Sequence, residues 1–163
     1  MKLALAPPLG ARLLVASLLV ACSGPHAEPS ETAAQHPVVA RAQAEAFYET
    51  RPREERPQAG WQKTPAGLDD LRAKSCGECH GEIYQEWKVS THALAWVDRQ
   101  FQSERKKSGN AWLCNNCHTP LLNQMEAWAV GLDGDDVERP RYVRNAAYDP
   151  SFRDEGITCA ACH

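Results

Sequence analysis

The stretch Cys76-Gly77-Glu78-Cys79-His80 decides the fold, and its pattern returns as Cys114-Asn115-Asn116-Cys117-His118 and Cys159-Ala160-Ala161-Cys162-His163. Cys-x-x-Cys-His is the attachment signature of c-type haem. Two thiols two residues apart reach the two vinyl groups of one porphyrin, and the histidine that follows is held under the ring as a ligand of the iron. The motifs therefore predict three haem c groups in a chain of 163 residues.

This interpretation assigns roles to nine residues. The predicted thioether residues are Cys76, Cys79, Cys114, Cys117, Cys159 and Cys162, and the predicted proximal iron ligands are His80, His118 and His163. Two alternatives remain at this point. Zinc also binds paired Cys-x-x-Cys units, but a tetrahedral site has no use for a histidine in the same place after each pair. Dithiol chemistry is typical of a thioredoxin-like βαβ pattern, which the chain lacks.

The seventh cysteine, Cys22, follows a short N-terminal signal. Lys2 and Arg12 precede an apolar run at residues 13–20, which is far shorter than the roughly 20 residues that span a bilayer. Leu19-Val20-Ala21-Cys22 is similar to a bacterial lipobox, so we expect residues 1–21 to be a lipoprotein signal peptide and Cys22 to carry lipid. The alternative is an ordinary signal cut near Ala21 that leaves Cys22 as a free thiol.

Composition divides the rest of the chain into two parts. Residues 22–60 are rich in Ala, Pro, Glu and Arg, which is typical of a lipid-anchored flexible tether, although residues 38–49 have some helical spacing. Residues 61–163 hold all three motifs and predict a multihaem cytochrome c domain. Since the chain stops on the last residue of a motif, we expect this domain to be incomplete at its C terminus, with further haems or ligands downstream. The net charge of −3 argues against nucleic acid as a partner.

The spacing after the first motif predicts helix, with Ile83, Trp87, Leu94 and Phe101 on one face. Either this helix breaks at Ser90, which then caps a second helix from Thr91, or both faces of one helix are covered. In either case the side chain of His92 is free to point at a second haem.

Elsewhere, helix and irregular loops are expected, and strand patterns are nearly absent. Thr119-Pro120 predicts the start of a helix that carries Leu121, Met125, Trp128 and Leu132 on one stripe. Asp133-Gly134-Asp135-Asp136 predicts a solvated turn, and residues 139–156 a loop that leads to the third motif. The five tryptophans are candidate packing partners of porphyrins, with an ordinary core as the alternative.

Three irons need ligands on their distal sides. His92 lies in a Trp-rich segment and is the predicted distal ligand of one haem. His26 and His36 fall in the tether, where an exposed histidine is the default. Met125 fits an apolar stripe, so core packing is favoured over ligation. Either the remaining irons are open to small molecules, or their ligands lie on sequence beyond His163.

Two blocks of the chain resemble a known family. Cys76-Gly-Glu-Cys79-His80 followed by Ile83-Tyr84-x-x-Trp87-x-x-Ser90-x-His92 resembles the opening of bacterial multihaem cytochromes of the cytochrome c-554 / c-552/4 class, and residues 154–163 resemble a later block. The resemblance implies a mainly α fold with extensive irregular loops, packed around stacked haems. It also implies electron transfer in the periplasm or at the outer membrane, with His92 as a distal ligand.

The expected function is therefore that of an electron carrier. Its partners would be other redox proteins or quinol-linked donors, and lipid on Cys22 would hold it at the periplasmic face of a membrane or at the outer membrane. The alternative is a multihaem reductase or oxidase of a small nitrogen or sulfur compound, which needs one open-coordinate haem. A structural scaffold in an outer-membrane electron conduit shares the features of the carrier. The sequence favours a carrier over a catalyst, because no acid–base or nucleophile constellation accompanies a motif.

Overall fold

Short helices and one hairpin make up the protein, for which a computed structural model describes residues 37–109 and 111–163. The helices are α1 (Pro37–Glu49), α2 (Ala73–Gly77), α3 (Gly81–Lys88), α4 (Thr91–Leu94), α5 (Arg99–Lys107), α6 (Trp112–His118) and α7 (Pro150–Arg153). The strands are β1 (Ala127–Asp133) and β2 (Asp136–Arg144), and three 3-10 turns cover Arg53–Glu55, Leu122–Gln124 and Cys159–Ala161. The predicted sites at Cys22, His26 and His36 lie outside the described residues. The mainly helical and irregular fold class is confirmed.

Ser90 breaks the helix that follows the first motif, which was one of the two alternatives that the sequence left open. Helix α3 ends at Lys88, and the Ser90 side chain accepts a hydrogen bond from the Ala93 amide at the start of α4. A cap of this kind stabilises a helix start by about 1 kcal/mol. The break gives α4 its own direction, so His92 and Ile83 need not share a face.

An antiparallel hairpin replaces the helix predicted after Thr119-Pro120, and that prediction was wrong. After one 3-10 turn the chain extends into β1, whose Trp128 pairs with Val143 of β2. The acidic segment is confirmed as a tight turn, with φ of +63° at Gly134 and +58° at Asp135. Positive φ at both central residues is typical of a type I′ turn, whose twist matches that of the two strands. The predicted loop over residues 139–156 is corrected in part, since β2 runs to Arg144.

Helix α1 packs on the hairpin and shares a hydrophobic core with residues that follow Trp61. Its small residues Ala40 and Ala44 are fully buried and let the helix approach β1 closely. Tyr48 closes the contact, because its hydroxyl accepts a hydrogen bond from the Ala129 amide at 3.3 Å. The helical spacing noted at residues 38–49 is thus confirmed.

The main hydrophobic core lies between α1, α6 and the hairpin. Trp112, Met125 and Trp128 are buried there, and Trp61 packs edge-on against Trp128 with 6.1 Å between ring centroids. Met125 is therefore a core residue, as its position in an apolar stripe favoured. Within the two described segments, every helix is too short or too polar to cross a bilayer.

Candidate functional site

Each Cys-x-x-Cys-His motif is wound into a helical turn that gathers its three reactive side chains. The His80 amide donates to the Cys76 carbonyl at 3.0 Å, and the His163 amide to the Cys159 carbonyl at 3.2 Å. The second motif forms most of α6. Positions i, i+3 and i+4 share one side of such a turn. Two thiols and one imidazole are thereby presented together, as attachment of a porphyrin requires.

The six cysteines of the motifs are accessible free thiols. In each motif the first cysteine is half-buried and the second is exposed. His80 and His163 are exposed as well. Reactive groups that a covalent cofactor consumes must remain reachable before it is attached, and these are.

The first and third motifs open into one cavity of about 710 Å³. All six of their cysteine and histidine side chains line it, together with the His92 side chain. The rest of the wall is largely apolar and includes Pro65, Leu68, Leu71, Ile83, Trp87 and Ile157. Cofactor sites are mostly apolar cavities of roughly 300–1,000 Å³. The two motifs lie far apart in the sequence and nevertheless form a single site.

Hydrogen bonds to main-chain carbonyl oxygens hold the third motif against the first. The Trp87 indole donates to the Ile157 carbonyl at 2.9 Å, and the Ile157 amide donates to the His92 carbonyl at 3.0 Å. The Thr158 hydroxyl reaches the Leu71 carbonyl at 3.5 Å. These contacts join the wall around the first motif to the two residues that precede Cys159.

Charged groups add a second set of links at the start of α2. The Arg72 guanidinium bonds to Asp70 at 2.9 Å and to Asp149. The Glu155 carboxylate accepts the Ala73 amide at 2.9 Å. Burial raises the pKa of the Glu155 carboxyl above its ordinary value, although the Ala73 hydrogen bond opposes this. These hydrogen bonds join the segment just before the first motif to Asp149 and Glu155, which precede the third motif.

The first cysteines of the two motifs, Cys76 and Cys159, both line this cavity. Burial raises the pKa of the Cys159 thiol, and the charge of the Cys76 thiol raises it further. Porphyrins attached at Cys76 and at Cys159 would share the cavity that both residues line.

Gly156 brings α4, and with it His92, close to the third motif. A Cβ atom at Gly156 would lie 2.7 Å from the His92 carbonyl oxygen and 3.1 Å from the amide nitrogens of Ala95 and Trp96. The φ of +62° at Gly156 is also one that favours glycine. The Gln124 amide, fully buried, donates to the Gly156 carbonyl at 2.9 Å and keeps this residue in place. Close packing of the backbone at Gly156 on α4 thus fixes the position of His92, the predicted distal ligand, at the cavity.

The second motif stands apart and has its own supports. Nδ1 of His118 lies 2.6 Å from the Ala95 carbonyl oxygen, which leaves Nε2 as the nitrogen available to a metal. A carbonyl on the other ring nitrogen typically orients a metal-binding histidine. Phe101 stacks on the His118 ring with 3.5 Å between centroids. No sequence pattern indicated these roles of Ala95 and Phe101, because they depend on tertiary contacts with a histidine that lies further along the chain.

The residues present fit haem. Four of the large apolar side chains exposed in the described residues lie between positions 83 and 97: Ile83, Val89, Leu94 and Val97. Of these, Ile83 lines the cavity and is available to contact an apolar ligand there. Within residues 37–109 and 111–163, no three His, Cys, Asp or Glu side chains are grouped as a metal site would require.

Paired thiols with a following imidazole, set in an apolar cavity, define a c-type haem protein. The profile of the family described as cytochrome c554 and c-prime matches residues 75–163, more than half of the chain. The chain belongs to the cytochrome c554 and c-prime family. It is therefore an electron-transfer haem protein whose cofactor is covalently bound haem c. Comparison with curated proteins found no match, and comparison with solved structures found none either.

Proposed function

We propose that this chain is a multihaem cytochrome that passes electrons between redox partners through three haems c. The observation that carries the proposal is the shared cavity, in which the thiols and histidines of the first and third motifs meet. A haem held at each motif would supply a one-electron iron couple, and the cysteines would keep it attached through redox cycling. The family match supports haem c in general, and the three intact motifs support the number.

The protein's own residues arrange the cofactors and exclude water. Cys76 and Cys159 line the same cavity, so porphyrins attached at these two residues would lie in one site. Leu71, Ile83 and Trp87 line this cavity and would cover apolar parts of the rings bound there. We therefore propose that the domain packs around closely stacked haems, as the resemblance to multihaem cytochromes implies. The Ala95 carbonyl holds His118 in the orientation that the second haem needs.

His92 is the proposed distal ligand of a haem in the shared cavity. Its exposed side chain lines that cavity, and its carbonyl is tied to Ile157 beside the third motif. Histidine on both sides of an iron closes that iron to substrate, which favours a carrier over a catalyst.

Cys22 is the proposed lipid anchor, because it follows a sequence similar to a lipobox. Multiple acyl chains on one residue suffice for stable attachment to a membrane. The carrier would then work at the periplasmic face of a membrane or at the outer membrane, and would exchange electrons with redox proteins or quinol-linked donors.

Intact mass and electron paramagnetic resonance test the proposal together. The denatured, solvent-extracted chain should keep three added macrocycles, and bare polypeptide would contradict haem attachment. In the loaded protein, His92→Ala should convert one low-spin iron to a high-spin form. Thr91→Ala is the matched control, since Thr91 is an exposed neighbour on α4. Identical spectra for His92→Ala and Thr91→Ala would exclude His92 as a ligand.

A further inference from the structure

One cation stands at the shared cavity of the first and third motifs. Among the described side chains that line this cavity, Lys63 alone is a lysine or arginine. The others are apolar, neutral polar, cysteine or histidine. Within the described segments its ammonium group has no hydrogen-bond or ion-pair partner. The described part of the cavity wall thus offers one lysine or arginine side chain and no aspartate or glutamate side chain.

The backbone beside Lys63 is fixed in place. The Gln62 amide donates to the Asn123 side-chain oxygen at 3.0 Å, and the Asn123 side-chain amide donates back to the Gln62 carbonyl at 3.0 Å. Just before this pair, the Leu122 amide donates to the Gly60 carbonyl at 2.8 Å. These hydrogen bonds fix the segment that carries Lys63 to residues 122 and 123, which follow the second motif. The Lys63 side chain therefore lines the cavity from a backbone that is held in place.

Each porphyrin of a c-type haem carries two carboxylates, and these need a partner where water is scarce. An ionised carboxylate in an apolar setting is costly unless a cation or hydrogen-bond donors accompany it. We propose that Lys63 forms an ion pair with a porphyrin carboxylate in the shared cavity and thereby raises the reduction potential of that haem. This inference rests on the proposed binding of haem at the first and third motifs.

The sign of the effect follows from electrostatics. An iron gains one electron on reduction, so a nearby positive charge favours the reduced state. Loss of the Lys63 charge should shift the ratio of oxidised to reduced haem about threefold to tenfold toward the oxidised form. At 59 mV per tenfold for one electron, this equals about 30–60 mV.

Spectropotentiometry of the haem-loaded full chain measures the effect of the Lys63 charge on the reduction potential, with three variants. Lys63→Gln should lower the potential of one haem by the stated amount, and Lys63→Arg should restore it. Lys106→Gln is the control, because Lys106 is an exposed lysine on α5 that does not line the cavity. The carboxylate bands in the redox infrared difference spectrum should change in Lys63→Gln alone. Lys63 is exposed, so its replacement should leave folding intact.

Distinct results would overturn the inference. Equal potentials in Lys63→Gln and Lys106→Gln, with all macrocycles attached, would show that Lys63 pairs with nothing in the cavity. A change from low-spin to high-spin iron in Lys63→Gln would show that Lys63 is an axial ligand instead. A wild-type chain without added macrocycles would refute the proposed function itself, which mass spectrometry detects separately.

Discussion

Replacement of Gly156 by alanine tests how the third motif is held against α4. The new Cβ would lie 2.7 Å from the His92 carbonyl oxygen, and the other near atoms are main-chain nitrogens of Ala95 and Trp96. Main-chain atoms cannot rotate away, so the segment of the third motif and α4 must move apart. We expect the loaded protein to lose stability and His92 to lose its position.

The expected loss of stability in Gly156→Ala has two contributions. An alanine in the left-handed region costs about 1–2 kcal/mol. Forcing an additional carbon into packed structure costs about 1–3 kcal/mol more. Gly156→Ala should therefore destabilise the protein by about 2–5 kcal/mol. Gly60→Ala is the matched control, because Gly60 has a φ of +64° and a Cβ added there would meet no atom within 4 Å. Gly60→Ala should therefore lose only about 1–2 kcal/mol, which is what an alanine costs in the left-handed region.

Guanidinium denaturation followed by far-ultraviolet circular dichroism measures both variants. The midpoint of Gly156→Ala should fall clearly below that of Gly60→Ala, and only Gly156→Ala should gain a high-spin signal. Equal losses of stability in the two variants would refute the close packing of Gly156 on α4.

Two further predictions concern the links between the first and third motifs. Trp87→Phe keeps an aromatic ring in the cavity but removes the bond to the Ile157 carbonyl, so it should cost about 1–3 kcal/mol in the same denaturation assay; an unchanged midpoint would contradict that bond. Burial alone would raise the pKa of the Asp70 carboxyl, but hydrogen bonds from Ser75 and Arg72 outweigh it and lower the pKa. Asp70 therefore adds stability above the unfolded pKa of about 3.9, and this is lost as the pH falls through the folded value. Asp70→Asn should flatten the loss of stability on acidification, and an identical acid limb in variant and wild type would count against the role of Asp70.

The chemistry of the site could be predicted from the sequence because it is local. A motif of five residues sets the spacing of two thiols and one imidazole within a single helical turn, whatever the rest of the chain does. The break at Ser90 is local too, since a serine side chain caps the next helix without help from distant residues. The helical spacing of α1 was also visible in the sequence, although the packing of α1 on β1 was not.

The hairpin shows where periodicity misled. Leu121, Met125, Trp128 and Leu132 match a helical stripe, but Trp128 and Leu132 also fit the alternation of a strand that contains Val130. The Gly134-Asp135 pair was the available signal, because Gly-Asp is typical of a two-residue β-hairpin turn. Tertiary packing of α1 on β1 then selects the strand.

The pairing of the first motif with the third could not be predicted. It depends on contacts such as that between Trp87 and Ile157, which are 70 positions apart. Single-sequence patterns carry no information about such long-range pairs. The same holds for Phe101, whose ring stacks on His118 in a contact between two separate helices.

Circular dichroism in the Soret region tests the shared cavity most directly, because two porphyrins in close contact couple and give a paired positive and negative band. Removing the second motif with Cys114→Ala and Cys117→Ala should leave this paired band in place. Removing the third motif with Cys159→Ala and Cys162→Ala should abolish it. A paired band that survives without the third motif but disappears without the second would contradict the shared cavity.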